Sequence, residues 1–171
     1  MGLGRTYQII NLYPTLTVKD NIRLGVLGTR AARYVLHSPA ARLSSVNERS
    51  TELLKAIGLW EWRDMEVRHL SYGHQRQLEI VMALASEPKV LLLDEPAAGL
   101  SVAETARMVD LIRSLDPALT LLIIEHDMDV AFELATEIVV LHNGQLLAHG
   151  TREEIRANST VRDVYLGHAH A

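Results

Sequence analysis

The sequence predicts an α/β fold: a mainly parallel sheet flanked by helices, with an additional helical part. Three observations carry that prediction. Beyond Leu70, segments of helical periodicity alternate with short apolar runs, the order expected of parallel strands joined by helical crossovers. From Asp20 to about Met65 the chain is rich in Arg, Ala and Leu and reads as mostly helical. Finally, 171 residues with a 48% hydrophobic fraction suffice for one domain with a substantial core.

Taken in order, Leu53, Leu54 and Ile57 stand at helical spacing in a segment from Glu48 to Ile57, and Gly58 supplies a left-handed C-terminal cap. A helix follows over His74 to Ala85, then a strand over Val90 to Leu93. Ser101 and Glu104 form a capping box for a helix from Val102 to Leu115, with Ala106, Val109, Ile112 and Leu115 along its buried face. The run Leu119 to Ile124 is the next strand. Ile138 to Leu141 and Leu146 to Ala148, separated by Asn143-Gly144, read as a hairpin with a tight primed turn. Thr151 with Glu154 caps a terminal helical tail, whose end, His168 to Ala171, should fray.

Composition excludes several classes. A formal charge of −4 with both signs interspersed offers no basic stripe, so nucleic acid is not expected as a main partner. The longest apolar runs, Val90 to Leu93 and Thr120 to Ile124, fall far short of the roughly 20 residues that span a bilayer. No export signal is visible at Met1 to Arg5, and the absence of cysteine removes disulfides and thiolate metal sites. These features suit the cytoplasm.

The chemistry concentrates in a few motifs. Val90 to Leu93 ends in Asp94-Glu95-Pro96, so an apolar strand delivers two adjacent carboxylates to the sheet's carboxyl edge, where open α/β proteins place ligands. Phosphoryl transfer needs an acidic group to hold Mg²⁺ and a second group to orient or deprotonate the attacking water, and Asp94 and Glu95 could divide those tasks. The plainer alternative is a polar turn closed by Pro96. In Leu70-Ser71-Tyr72-Gly73-His74-Gln75-Arg76, a hydroxyl, a glycine that admits close approach and a helix start make a phosphate-binding end, or simply a cap. His126 ends another apolar run after Glu125, where an imidazole can donate to a phosphate oxygen or serve a structural role; Asp127 could be the N-cap of a helix through Ala131 and Leu134. Gln8 could ligand Mg²⁺ or hold a water through its amide. Specificity comes from the combination.

No Gly-x-x-x-x-Gly-Lys-[Ser/Thr] loop occurs, and none of Lys19, Lys55 and Lys89 follows a glycine. The residues describe one half of an ATP site.

In this order, these residues resemble the ATP-binding subunits of ABC transporters. Gln8 is similar to the Q-loop glutamine, Leu70 to Gln75 to the signature motif, Val90 to Glu95 to the Walker B strand, Gly99-Leu100-Ser101 to the D-loop and His126 to the switch histidine. Gly4-Arg5-Thr6-Tyr7-Gln8, Leu16-Thr17-Val18, Leu70-Ser71-Tyr72-Gly73, Glu95-Pro96-Ala97-Ala98-Gly99, Ile124 to Met128 and Tyr165-Leu166-Gly167 resemble the subgroup serving branched-chain amino acid and related amide importers.

The resemblance implies an incomplete P-loop NTPase domain. About 20–86 would form a helical signature subdomain that docks on the membrane subunits, with Trp60 and Trp62 either at that contact or simply packed. Residues 1–19 and 87–171 would form the remaining catalytic core and C-terminal tail. It further implies ATP and Mg²⁺ as cofactors. Asp94 and Gln8 would attend the metal, Glu95 would be general base and His126 would contact the γ-phosphate. Ser71, Tyr72, Gly73, His74 and Gln75 would act on a nucleotide held by a second ATP-binding subunit, identical or not. Transmembrane permease subunits are the implied partners, with an indirect link to a substrate-binding protein, at the cytoplasmic face of the inner membrane.

The departures from the family pattern are expectations too. The Walker A segment is absent, so the chain is expected to be truncated before the Q-loop, inactive alone, and left with strand edges facing water. Ser101 stands where the family usually has Asp or Asn, and His74 where Gln is usual. An exporter ATPase, such as a lipopolysaccharide system, and a noncatalytic interaction module are the alternative functions. The ABC ATPases of DNA repair or chromosome cohesion require heptad arms that the roughly sixty residues between Gln8 and Leu70 do not contain.

Overall fold

The computed structural model describes residues 2–6, 12–28 and 39–166, in two compact units, Met1–Ile124 and Glu125–Ala171. In the first, three parallel strands lie in the order β1 (Leu3–Arg5), β2 (Val90–Asp94) and β3 (Thr120–Ile124). Leu3 faces Val90 on one side of β2, and Thr120 faces Val90 on the other. Parallel neighbours need long crossovers. The path from β1 to β2 runs through α1 (Val18–Leu27), α2 (Pro39–Ala56) and α3 (Tyr72–Leu84), and the path from β2 to β3 through α4 (Val102–Arg113). Leu91 and Leu93 are fully buried on one face of β2, which α3 covers.

The helical part has its own core. Val18, Ile22 and Val26 of α1 meet Val46, Leu53 and Leu54 of α2, with Leu59, Val67 and Leu70 from the connecting turns and Leu78 and Val81 of α3. Each such side chain contributes about 1.5–3 kcal/mol by leaving water. Thr17 accepts from the Asp20 N–H and so caps α1. The entry to α1 is fastened to the turns before α3: Val18 N–H donates to Met65 C=O at 2.9 Å and Val67 N–H to Leu16 C=O at 3.0 Å. Buried Asn21 is satisfied by the backbone of Tyr13 and Thr17.

The second unit contains α5 (Met128–Leu134), an antiparallel hairpin of β4 (Glu137–His142) and β5 (Gln145–Thr151), and α6 (Arg152–Ala157). Phe132, Ile138, Val140, Ile155 and Val161 form its core. Asn143 and Gly144 have φ of +50° and +75°, as the primed turn requires.

Several sequence expectations shift. The helix expected from His74 begins at Tyr72, because Ser71 is its N-cap. The strand expected over Leu146 to Ala148 extends from Gln145 to Thr151. On α4 the buried residues are Met108, Val109, Leu111 and Ile112; Ala106 is exposed and Leu115 lies beyond the helix. Strand β1 carries no periodic signal in Leu-Gly-Arg and is defined by its pairing with β2. Gly58, at φ +69°, terminates α2 as anticipated.

Candidate functional site

The carboxyl edge of the sheet collects the charged groups. β2 ends at Asp94, and the register of the neighbouring strands sets Ile124 beside it and brings Arg5 to the same edge. The Arg5 guanidinium stands 3.7 Å from the Asp94 carboxylate, an ion pair half open to solvent on the arginine side. Glu95 then turns the chain sharply. Its φ of +46° lies in the left-handed region, while its N–H is held by Ile124 C=O at 2.9 Å. A non-glycine residue held there costs about 1–3 kcal/mol and persists only where its surroundings impose it, a pattern concentrated at functional sites. Buried Pro96 follows, and Ala98 N–H closes the turn on Glu95 C=O.

The second group opens α3. Ser71 Oγ accepts from the His74 N–H at 3.3 Å, and the Gln75 side-chain amide donates to Leu70 C=O. Tyr72 accepts from Arg76 Nε at 3.1 Å; Arg76 in turn pairs with Glu79 at 3.1 Å, both buried, so neither charge is left uncompensated. The His74 ring lies against Trp62, with centroids 4.6 Å apart. Burial, then the Arg107 charge, hold its pKa below the usual histidine value, with Glu104 pulling the other way.

Two contacts join this helix start to the segment after Glu95. The Tyr72 ring covers Gly99, whose φ is +75°; a Cβ there would stand 3.4 Å from Tyr72 Cε1. At buried Gly73 a Cβ would stand 2.6 Å from Glu104 Oε1, so a side chain there would require that carboxylate to move. Glu104 was legible in the sequence solely as a capping residue, and the spacing to Ser101 gives no hint of this second contact. The pairing of Arg5 with Asp94 was equally silent.

Of the remaining expected site residues, His126 belongs to the second unit, immediately before Asp127, which caps α5 by accepting from the Asp129 and Val130 N–H groups. Gln8 lies outside the described residues. Among the described residues no three His, Asp or Glu side chains cluster as a metal cage. A single strand-end carboxylate such as Asp94 fits Mg²⁺, which is usually bound by one or two carboxylates together with phosphate and water.

Comparison with known proteins supplies the lineage. Residues 2–98 match the ABC transporter family, and residues 145–171 the branched-chain amino acid ATP-binding cassette transporter family. The chain is 39% identical to the high-affinity branched-chain amino acid transport ATP-binding protein LivG of Salmonella typhimurium, over 99% of this chain and 69% of that protein. The chain belongs to the ABC transporter family. Another member, BraF of Pseudomonas aeruginosa, is 37% identical over 98% of this chain and 69% of its own length. The fold of this ABC family chain superposes on the ADP conformation of an ATP-binding cassette with a TM-score of 0.75 and 25% identity, covering 97% of this chain and 68% of that one. A dimeric cassette bound to ADP and phosphate gives a TM-score of 0.69 at 25% identity, over 88% of this chain and 62% of that one. The α/β fold expected from the sequence is that of these ABC ATPase domains.

Proposed function

We propose that this chain is the ATP-binding, ATP-hydrolysing component of an importer of branched-chain amino acids or related amides. The observation that carries the reading is Glu95 held in a left-handed conformation directly after Asp94, where three parallel strands end. Identity to LivG and BraF along nearly the whole chain supports the choice of cargo.

In this reading Asp94 and Gln8 hold Mg²⁺, which when bound neutralises charge on the phosphates. Glu95 accepts the proton of the attacking water, and His126 donates to a γ-phosphate oxygen. Ser71, with the N–H groups at the start of α3 and the side chains of Tyr72, His74 and Gln75 around them, faces a nucleotide held by a second ATP-binding subunit. The helical part, about 20–86, docks on permease subunits at the cytoplasmic face of the inner membrane, and these link to a substrate-binding protein. Among the described residues no helix is long and apolar enough to cross a membrane. The 171 residues contain no Gly-x-x-x-x-Gly-Lys-[Ser/Thr] loop, so in this reading they complete a hydrolytic site only together with such a loop.

Calorimetry with Mg²⁺ and ATP tests this. The chain should give no tight binding, whereas a fusion carrying the N-terminal segment of the Salmonella relative ahead of Gly2 should bind and hydrolyse ATP. In that fusion Glu95→Gln should lower turnover by about 10²–10⁴-fold while leaving ATP binding intact. Unchanged turnover removes Glu95 from its role, and tight binding by the short chain shows that a different set of residues grips the nucleotide.

A further inference from the structure

The Tyr72 side chain bridges two elements. Its hydroxyl accepts from Arg76 Nε at 3.1 Å, one turn along α3, and the guanidinium carbon of Arg76 lies 5.4 Å from the ring centroid. Arg76 is in turn paired with Glu79 at 3.1 Å, and at 5% and 7% exposure both are buried. A guanidinium forked between a carboxylate and a phenol inside the protein has little freedom, so it fixes the ring it holds. Tyr72 itself remains 42% exposed, so burial alone does not set its position. Its other edge covers Gly99, where a Cβ would stand 3.4 Å from Cε1.

Gly99 ends the turn that Glu95 opens. Within the turn Ala98 N–H donates to Glu95 C=O at 3.1 Å and Leu100 N–H to Ala97 C=O at 3.2 Å, and Glu95 and Gly99 have φ of +46° and +75°. The first residue is fastened to β3 by its N–H on Ile124 C=O. A glutamate in the left-handed region stays there only while its surroundings impose it, which calls for a restraint at the far end of the turn as well. The Tyr72 ring on Gly99 is such a restraint.

We propose that Arg76 and Tyr72 form a strut that positions Glu95. Arg76 fixes the ring, the ring fixes Gly99, and the turn so held keeps Glu95 left-handed at the end of β2. Arg76 acts through Tyr72, as a positioning residue and not a catalytic one. The purpose of the strut rests on the reading of Glu95 as general base. Because the ring stands at the start of α3, a shift of that helix start reaches Gly99 and, through the turn, Glu95.

The test uses the full isotope-labelled chain, observed by NMR for amide exchange and for the carbon shifts that report backbone conformation. Tyr72→Phe and Arg76→Lys delete the same hydrogen bond from opposite ends. Each should lower the exchange protection of the Glu95, Ala98 and Leu100 amides about two- to tenfold, the factor expected for one hydrogen bond. The double variant should lose no more than either single one, because the two residues act through one contact. Tyr72→Ala, which removes the ring too, should move the Glu95 carbon shifts away from left-handed values. Ile22 and Leu54, in the core of the helical part, should keep their protection in Tyr72→Phe. Should Arg76→Lys fail to fold, Tyr72→Phe decides alone, since it leaves the Arg76–Glu79 pair in place. Loss confined to α3, or spread evenly over the unit, overturns the strut. Additive losses in the double variant overturn the coupling of Arg76 to the turn through Tyr72. The role of Glu95 as base is decided separately by turnover of Glu95→Gln in the fusion, so the strut and the reading it serves fail on different measurements.

Discussion

At the scale of single residues, His74 shows how a packed imidazole ties stability to pH. Packed on Trp62 and near Arg107, its imidazole has a folded-state pKa below the unfolded value of 6.5. The unfolded chain therefore takes up the proton first, so the protein loses stability as pH falls from about 6.5 toward the folded pKa, and the penalty is constant below that. Urea unfolding between about pH 7.5 and pH 5 should show this loss, and His74→Gln should flatten that part of the profile. An unchanged profile would mean that the ring charges as easily in the folded chain as in water. Asp94 and Glu95 were readable from sequence because an apolar run followed by two carboxylates is a local pattern. The contact of Glu104 with Gly73 was not, because the two meet across two helices and no spacing rule links them.

At the scale of elements, the parts that sequence described well are those governed by neighbours in the chain. Asn143-Gly144 set the hairpin turn, Gly58 ended α2, and Ser101-Glu104 and Thr151-Glu154 opened their helices, each through contacts within a few residues. The turn offers a clean measurement. A Cβ on Gly144 would meet nothing within 4 Å, so Gly144→Ala changes only the backbone preference at φ +75°. It should cost about 1–2 kcal/mol, seen as a lower urea midpoint for the second unit. A smaller cost would mean that the turn relaxes to another type. The elements that shifted are set by tertiary partners. The buried face of α4 turned toward Met108 and Leu111, and β1, with no alternation to announce it, exists because β2 offers an edge.

At the scale of the whole molecule, the uncovered apolar surface is the dominant fact. Among the described residues β3 pairs with β2 alone, so its other edge presents unpaired backbone groups. Leu122 and Ile124 on the same face of β3 are 55% and 57% exposed. On the hairpin of the second unit Val139, Leu141 and Leu146 are likewise open. An unprotected strand edge with exposed leucine and isoleucine is a template for pairing with another copy. Light scattering by the 171-residue chain should rise with concentration, and Leu122→Lys combined with Ile124→Lys should suppress it without lowering the unfolding midpoint. Equal scattering by the two proteins would place the association elsewhere. The sequence announced this exposure only through the family comparison, since the run from Thr120 to Ile124 is itself indistinguishable from a buried strand.

The pairing of β1 with β2 also fixes a history for the molecule. Every helix of the helical part hangs on the loop between these two hydrogen-bonded strands, and that loop must close before Thr6 N–H can reach Leu92 C=O or Val90 N–H can reach Gly2 C=O. Contacts between residues so distant in the chain form slowly, whereas the helices between them nucleate from local interactions. Strand β1 is therefore expected to join after the helices between the two strands. The guanidinium of Arg5 then comes beside Asp94 only once that long loop has closed, so the chemistry-bearing edge depends on the whole helical part that its two strands enclose.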